Sequence, residues 1–316
     1  MQKFPLISIA LCTYNGEKFL AQQIESLLAQ DYPNFEIVVC DDCSTDSSLQ
    51  VAASFESPRI RIHANEQNLG FNKNFERAFH LCKGELIAPC DQDDIWDPSK
   101  LSTLQAQLGT NMLAYCDSTL IDEQGNSMDQ KISDRLNMYS GKDWMPFLFI
   151  NCVSGHASLF RRELLDHASP IPRKFYYDWW LASVAASLGG IIYIDQGLVH
   201  FRQHSASCTD ITGSKSTEKK PKQSLLQRVD DEAEWMEQLS RLNSGKRSEV
   251  ASELRQLWLA KKEQYFCPRL ARLLFRYGDQ IFFISKRSSI RFRFAVKSFW
   301  GFKTKRLLKP KKYSRS

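Results

Sequence analysis

The sequence predicts an α/β protein, a doubly wound and mostly parallel sheet followed by a C-terminal helical, basic extension. Three observations carry this reading. Short apolar runs of the kind buried on both faces of a parallel sheet alternate with stretches of helical periodicity. Polar clusters follow three of those runs, at the C-terminal strand ends where ligands bind in such sheets. Charge is also divided along the chain. Residues 261–316 hold 17 Lys/Arg against 2 Asp/Glu, whereas the preceding 260 residues hold 25 against 34.

Residues 6–12 (Leu-Ile-Ser-Ile-Ala-Leu-Cys) form the first predicted strand, broken by Thr13-Tyr14-Asn15-Gly16. Phe19, Ile24, Leu27 and Leu28 then recur at near-helical spacing through 17–30, ending before Tyr32-Pro33. A second strand at 35–40 runs into Asp41-Asp42-Cys43-Ser44-Thr45-Asp46, where Ser44 or Thr45 would cap a helix reaching about residue 55. A short strand at 59–63, a loop from Asn65 through Asn68 to Gly70, a helix at 71–82 and a strand at 85–90 follow. This rhythm implies right-handed crossovers and a parallel sheet. Beyond it come a helix at 98–109, strands at 112–116 and 118–121, and an irregular aromatic stretch at 140–155. A strand at 156–160, a short helix at 161–165, an apolar helix from about 176 to 188, and strands at 191–194 and 198–201 complete the sheet.

Composition bounds the function classes. An apolar fraction of 43% excludes global disorder. The nine cysteines are odd in number and sit mostly inside apolar runs; Cys40-Asp-Asp-Cys43 has no second pair to complete a zinc site. They read as reduced core thiols, and with no signal peptide at the N-terminus the expectation is a cytoplasmic location. No apolar run is long enough to span a membrane. The missing Gly-rich dinucleotide loop and P-loop lysine argue against those enzyme classes.

The most informative stretch is Asp91-Gln92-Asp93-Asp94-Ile95-Trp96-Asp97-Pro98. Three carboxylates in four residues repel one another, and a divalent cation with hard oxygen ligands, Mg2+ or Mn2+, would remove the conflict where a diphosphate is the other ligand. An acidic turn capping the next helix is the alternative.

With these residues in view, the chain resembles the family 2 glycosyltransferases of bacterial surface-polysaccharide synthesis (O-antigen, capsule), especially the rhamnosyltransferase-like members. The matching segments are residues 9–16, Asp41-Asp42-x-Ser44-x-Asp46, Asn68-x-Gly70, residues 91–96, Tyr177-Asp178-Trp179-Trp180 and Phe201-Arg202-Gln203-His204, in family order. The resemblance implies a GT-A fold and an inverting, metal-dependent transfer from a nucleotide diphosphate sugar (dTDP- or UDP-linked) to a lipid-linked glycan. It implies that Thr13, Tyr14, Asn15, Asp42, Asn68, Asp91 and Gln92 line the nucleotide-sugar site, with Asp42 on the base. Asp91 and Asp93 are the Asp-x-Asp pair, Asp93 and His204 the metal ligands, and Asp178 the catalytic base. Tyr177 stands where the family often has Glu or His. Trp179, Trp180 and His156 are acceptor-side candidates, although the Trp pair serves equally well as core packing. A nucleotidyltransferase on a related sheet, or a membrane-docked assembly protein with a vestigial site, are the alternatives.

Domain boundaries follow composition: a catalytic domain at 1–206, a Ser/Thr/Lys-rich linker at 207–224, and a helical extension at 225–316 that packs on the catalytic domain or on a second subunit of a homodimer. From residue 261 on, Arg and Lys interleave with Phe, Leu and Trp, notably at 269–276 and 291–300. Such basic amphipathic helices lie in anionic membrane surfaces, so the expected partner is the inner face of the cell membrane and not nucleic acid.

Overall fold

The computed structural model describes residues 4–204, 224–242, 245–287 and 289–308; the predicted linker at 207–223 and the end of the tail lie outside them. The chain divides into two compact units, 1–142 with 153–215, and 143–152 with 216–316. The aromatic segment 143–152, expected in the catalytic domain, thus belongs with the C-terminal helices.

In the first unit the described residues form a nine-stranded sheet. Strands β1 (Ile7–Thr13), β2 (Phe35–Asp41), β3 (Ile60–Ala64) and β4 (Leu86–Cys90) run parallel in the order 3-2-1-4. Helices α1 (Glu17–Leu28), α2 (Ser48–Ala53) and α3 (Phe71–Leu81) supply the crossovers. Every residue of β1 is buried, as its unbroken apolar run requires. Leu20, Ile24 and Leu27 of α1 join the core that includes Ile9, Leu11, Ile37 and Val39.

Past β4 the sheet changes character. A two-residue strand β5 (Ile95–Trp96) leads to α4 (Lys100–Leu108). Next come β6 (Leu113–Ile121), its hairpin partner β7 (Ser127–Lys131) and β8 (Ser158–Arg161). The short α5 (Leu165–Ala168), α6 (Tyr177–Leu188) and β9 (Ile191–Arg202) follow. Strand β8 inserts antiparallel between β4 and β6, and β9 runs parallel to β6. The two strand pairs expected at 112–121 and 191–201 are single strands, β6 and β9, whose mutual register shifts around Asp117. An irregularity in one long strand reads as a break in the apolar pattern. His156 and Ala157 form a 3-10 turn (Gly155–Ala157) ahead of β8, not strand. Neither Ser44 nor Thr45 caps α2: the residue at its N-cap is Ser47, and the preceding Asp46 accepts from Ser48 N at 3.0 Å through Oδ1.

The second unit contains α7 (Leu225–Ser240), α8 (Lys246–Ala260), α9 (Pro268–Arg276), α10 (Gly278–Ile281), α11 (Ile290–Phe299) and α12 (Phe302–Leu308). Ser224 caps α7 by accepting from Gln227 N at 3.1 Å. Segment 143–152 sits among these helices: Trp235 Nε1 donates to Phe147 O at 3.0 Å, and the Phe149 ring packs against Trp258, Phe282 and Phe294. No helix among the described residues is long and apolar enough to cross a membrane.

Candidate active site

The ends of β1, β2 and β4 converge because three neighbouring parallel strands stop at the same level. Gln92 ties two of them. Its Oε1 accepts from Thr13 Oγ1 at 2.7 Å and from Tyr14 N at 2.8 Å, while its Nε2 donates to Tyr14 O at 3.3 Å. Gly16 leaves room for this amide; a Cβ there would press on Gln92 and stand 2.8 Å from Thr13 Oγ1. Asn15, at φ 49°, accepts from Thr45 N at 2.9 Å and joins the β1 end to the β2 end. The Tyr14 ring remains 48% exposed, a surface offered to a ligand.

Asp42 is buried, and its carboxylate organises the next loop. Oδ1 accepts from Asn65 Nδ2 and Leu69 N, both at 2.7 Å, and Oδ2 accepts from Gly70 N at 2.9 Å. Asn68 Nδ2 donates to Asp42 O at 3.1 Å. The Asp42 and Asn68 segments therefore form one wall.

The crowded acidic turn after β4 finds a different solution for each carboxylate. Asp93 Oδ2 meets His204 Nε2 at 2.8 Å, bringing together the two residues expected to share a metal. Asp94 is 1% exposed; its Oδ1 accepts from Arg202 N at 3.1 Å, and its Oδ2 has no hydrogen bond. His156 Nδ1 lies 3.6 Å from both Asp91 Oδ2 and Asp94 Oδ2, and its Nε2 is 3.0 Å from Ser118 Oγ. Burial alone would push the imidazole down, but the Asp94 and Asp91 charges outweigh it and hold it above the ordinary histidine value. Burial pushes the Asp94 carboxyl up in turn. Beneath them Lys100 is fully buried, donates from Nζ to His156 O at 2.5 Å and stands over the Trp96 ring; desolvation pushes it down to about 7.

Two donor sets thus fit a hard cation. Asp91, Asp94 and His156 bring ligand atoms within 4.8 Å of one another. Asp93 with His204 forms the other. In the first set the His156 imidazole lies 3.6 Å from both carboxylates, whose charges hold it above the ordinary histidine value. In the second set the oxygen and nitrogen converge from the acidic turn and from the end of β9. Asp91, Asp94 and His156 could hold such an ion, and the pair Asp93 and His204 is a second candidate.

Asp178 sits in the first turn of α6. Oδ1 accepts from Trp179 N at 2.6 Å and Oδ2 from Gly155 N at 3.3 Å. Desolvation outweighs these bonds and pushes the carboxyl up to about 6. The 3-10 turn therefore touches both halves of the site, Asp178 through the Gly155 amide and Asp91 with Asp94 through the His156 ring. A Cβ at Gly155 would overlap the Tyr177 hydroxyl. Tyr177, the departure noted in the sequence, is buried, with its ring stacked on Phe75 at 4.2 Å; it is packing that seats α6. Beside Tyr176 opens a cavity of about 470 Å³, lined in part by Phe71, Lys73 and Arg173.

Two acceptor-side expectations need correction. The His156 ring is 3% exposed and faces carboxylates, so it presents no surface to an acceptor. Trp180 is 6% exposed with its Nε1 donating to Ala168 O, a core residue. Trp179 keeps partial exposure, and Tyr176, at 57%, offers the more open ring. Sequence reasoning missed Lys100, Gly155 and the anchoring role of Arg202, whose guanidinium donates to the Asp93 and Glu123 carbonyls and to Gln22 Oε1. Only Arg202 had a signal, as part of a motif segment.

Polar side chains gathered at the C-terminal ends of parallel strands, next to an acidic turn and a raised carboxyl, place the candidate site where open α/β sheets bind ligands. The family model for glycosyl transferase family 2 matches residues 8–168, half of the chain, and the chain belongs to that family. An uncharacterized glycosyltransferase of Nostoc sp. is 29% identical over 235 residues, 68% of this chain and 70% of the relative. The Escherichia coli UDP-Glc:alpha-D-GlcNAc-diphosphoundecaprenol beta-1,3-glucosyltransferase WfgD is 34% identical over 179 residues, covering 56% and 69%. Among solved structures, S. aureus TarS in complex with UDP-GlcNAc superposes with a TM-score of 0.58 at 18% identity, covering 93% of this chain and 87% of that one. The fold is GT-A.

Proposed function

We propose that the chain transfers a hexose, with inversion, from a UDP-linked donor to a hydroxyl of a lipid-linked glycan in polysaccharide synthesis. The observation that carries this is the single turn Gly155–Ala157, which joins the base Asp178 to the donor-side carboxylates. WfgD, which by its name uses UDP-glucose and a diphosphoundecaprenol-linked acceptor, supports the choice of donor and acceptor class. TarS bound to UDP-GlcNAc supports the nucleotide. dTDP-rhamnose is the competing donor, suggested by the resemblance of the whole ordered motif set to the rhamnosyltransferase-like members.

In this reading Thr13, Tyr14, Asn15 and the Asn68 loop line the nucleotide. Asp42 Oδ2, which accepts a single bond, keeps a lone pair for a base N–H. Asp91 and Gln92 border the donor sugar. Asp93 and His204 hold Mg2+ or Mn2+, which when bound neutralises charge developing on the departing diphosphate. Arg202 fixes the acidic turn from below through the Asp93 carbonyl. Asp178 takes the proton of the attacking acceptor hydroxyl. A carboxyl near 6 is ionised at neutral pH yet more basic than an ordinary one, and such a base contributes about 10²–10⁴ in rate. The cavity beside Tyr176 takes the acceptor, with the Tyr176 ring as a stacking surface.

The test is calorimetric titration with UDP, dTDP and GDP, with and without Mn2+, on the wild type and Asp93→Ala. Metal-dependent binding of UDP, weakened in the variant, is expected. Selection of dTDP would replace the donor, and failure to bind any of the three would leave the vestigial-site alternative standing.

A further inference from the structure

The apolar residues of the basic C-terminal stretches are used in two different ways. In α9, Leu270, Leu273 and Leu274 are buried, so the segment at 269–276 directs its apolar side inward. In α11 the inward side is made by Phe294, stacked on Trp258 with ring centroids 5.9 Å apart, together with buried Ala295 and Ser298. The opposite side of α11 and the residue after it present Phe292, Val296 and Trp300, which are 64%, 46% and 40% exposed. Their spacing of four residues sets them one above another on a single helix face. Arg293 and Lys297 are exposed beside that stripe and form no ion pair among the described residues.

We propose that this face of α11 docks the second unit on an anionic membrane surface, with Phe292, Val296 and Trp300 in the headgroup–acyl boundary and Arg293 and Lys297 on lipid phosphates. A solvent-exposed apolar stripe flanked by cations matches the chemistry of an anionic bilayer. The only acids after residue 260, Glu263 and Asp279, face Lys303 and Arg291, so neither pairs with Arg293 or Lys297. A second copy pairing face to face would set Arg293 and Lys297 against their own equivalents, and such like charges repel. Nucleic acid would satisfy the cations but has no use for an aliphatic Val296, nor for Leu307 and Leu308, which are 72% and 73% exposed. The inference stands on this surface alone; the lipid-linked acceptor proposed above gives it a purpose but is not needed for it.

The test is co-sedimentation of the full chain with vesicles of phosphatidylcholine alone or mixed with phosphatidylglycerol. The wild type is expected on the mixed vesicles only. Phe292→Ser/Val296→Ser/Trp300→Ser and Arg293→Glu/Lys297→Glu should each weaken partitioning about tenfold or more. All five positions are exposed, and circular dichroism with nucleotide titration checks that each variant keeps its fold. Failure of the wild type to bind mixed vesicles, or undiminished binding of the triple serine variant, would overturn the proposal. So would a dimer in sedimentation that the serine variant abolishes, or duplex DNA binding that the glutamate variant alone removes. Vesicle binding without nucleotide binding would sink only the transferase reading.

Discussion

Replacing Asp178 by Asn should do two opposite things, abolishing transfer and stabilising the folded protein at neutral pH. Burial raises this carboxyl from 3.8 to about 6, so the folded state holds its proton over a pH range in which the unfolded chain has released it. Stability therefore falls as pH rises between those values, and the loss is complete above the folded value. At 1.36 kcal/mol per pH unit the full penalty is about 3 kcal/mol. Two corrections reduce it. The side chain keeps some contact with solvent, and an Asn oxygen can satisfy only one of the Trp179 and Gly155 amides, leaving the other short of a partner by about 1 kcal/mol. Asn does not titrate, so the stability difference between variant and wild type should shift in the variant's favour by about 1–2 kcal/mol between pH 4.5 and pH 8. The raised Asp94 carboxyl contributes to both proteins and cancels. Urea unfolding in EDTA at the two pH values measures the difference directly. A pH-independent difference would refute the account of a desolvated base. Retention of wild-type turnover by Asp178→Asn would remove Asp178 from the mechanism altogether; the expected loss is about 10²–10⁴-fold.

Two further outcomes concern the turn at Gly155–Ala157. His156→Leu removes the imidazole that faces the buried Asp94 carboxyl at 3.6 Å and should destabilise by about 3 kcal/mol where Asp94 is ionised. Because protonation of Asp94 relieves that conflict, the loss should shrink on acidification to pH 6, and a thermal-melt difference that ignores pH would contradict the ion-pair role. Gly155→Ala drives a methyl into the Tyr177 hydroxyl and should cost about 1–3 kcal/mol by chemical denaturation. It should also lower turnover, through a displaced Asp178, far more than nucleotide affinity; an equal loss in both would argue against a turn that positions the base.

The fold was legible because it is written in two local signals, apolar runs and the polar residues that end them. Residues 7–13 need only be apolar and unbroken to become a strand buried on both faces, and Thr13, Asp41 and Cys90 end their strands together because neighbouring parallel strands share a direction. From that alone Tyr14, Asp42 and Asp91 had to lie on one rim. The second half of the sheet was less legible. The antiparallel insertion of β8 is a long-range event, and the irregularity near Asp117 imitates a strand break. Lys100 could not have been found at all: a lysine in the first turn of an amphipathic helix signals solvent, and only the packed structure shows its Nζ beneath the His156 carbonyl.

The same limit applies to the acidic turn. Along the sequence, three carboxylates in four residues ask for one shared cation. Folded, they are separated by direction: Asp93 turns toward His204, while Asp94 turns inward and Asp91 stands across His156 from it. The protein answers most of the repulsion with its own histidine, 62 residues further along the chain than Asp94. In the proposed mechanism Asp93 and His204 would hold the metal. A divalent ion held there would neutralise charge on a diphosphate, while His156 with Asp94 and Asp91 forms a separate cluster. Donor binding and site integrity are therefore separable, and substitutions at Asp93 and at His156 should fail in different assays.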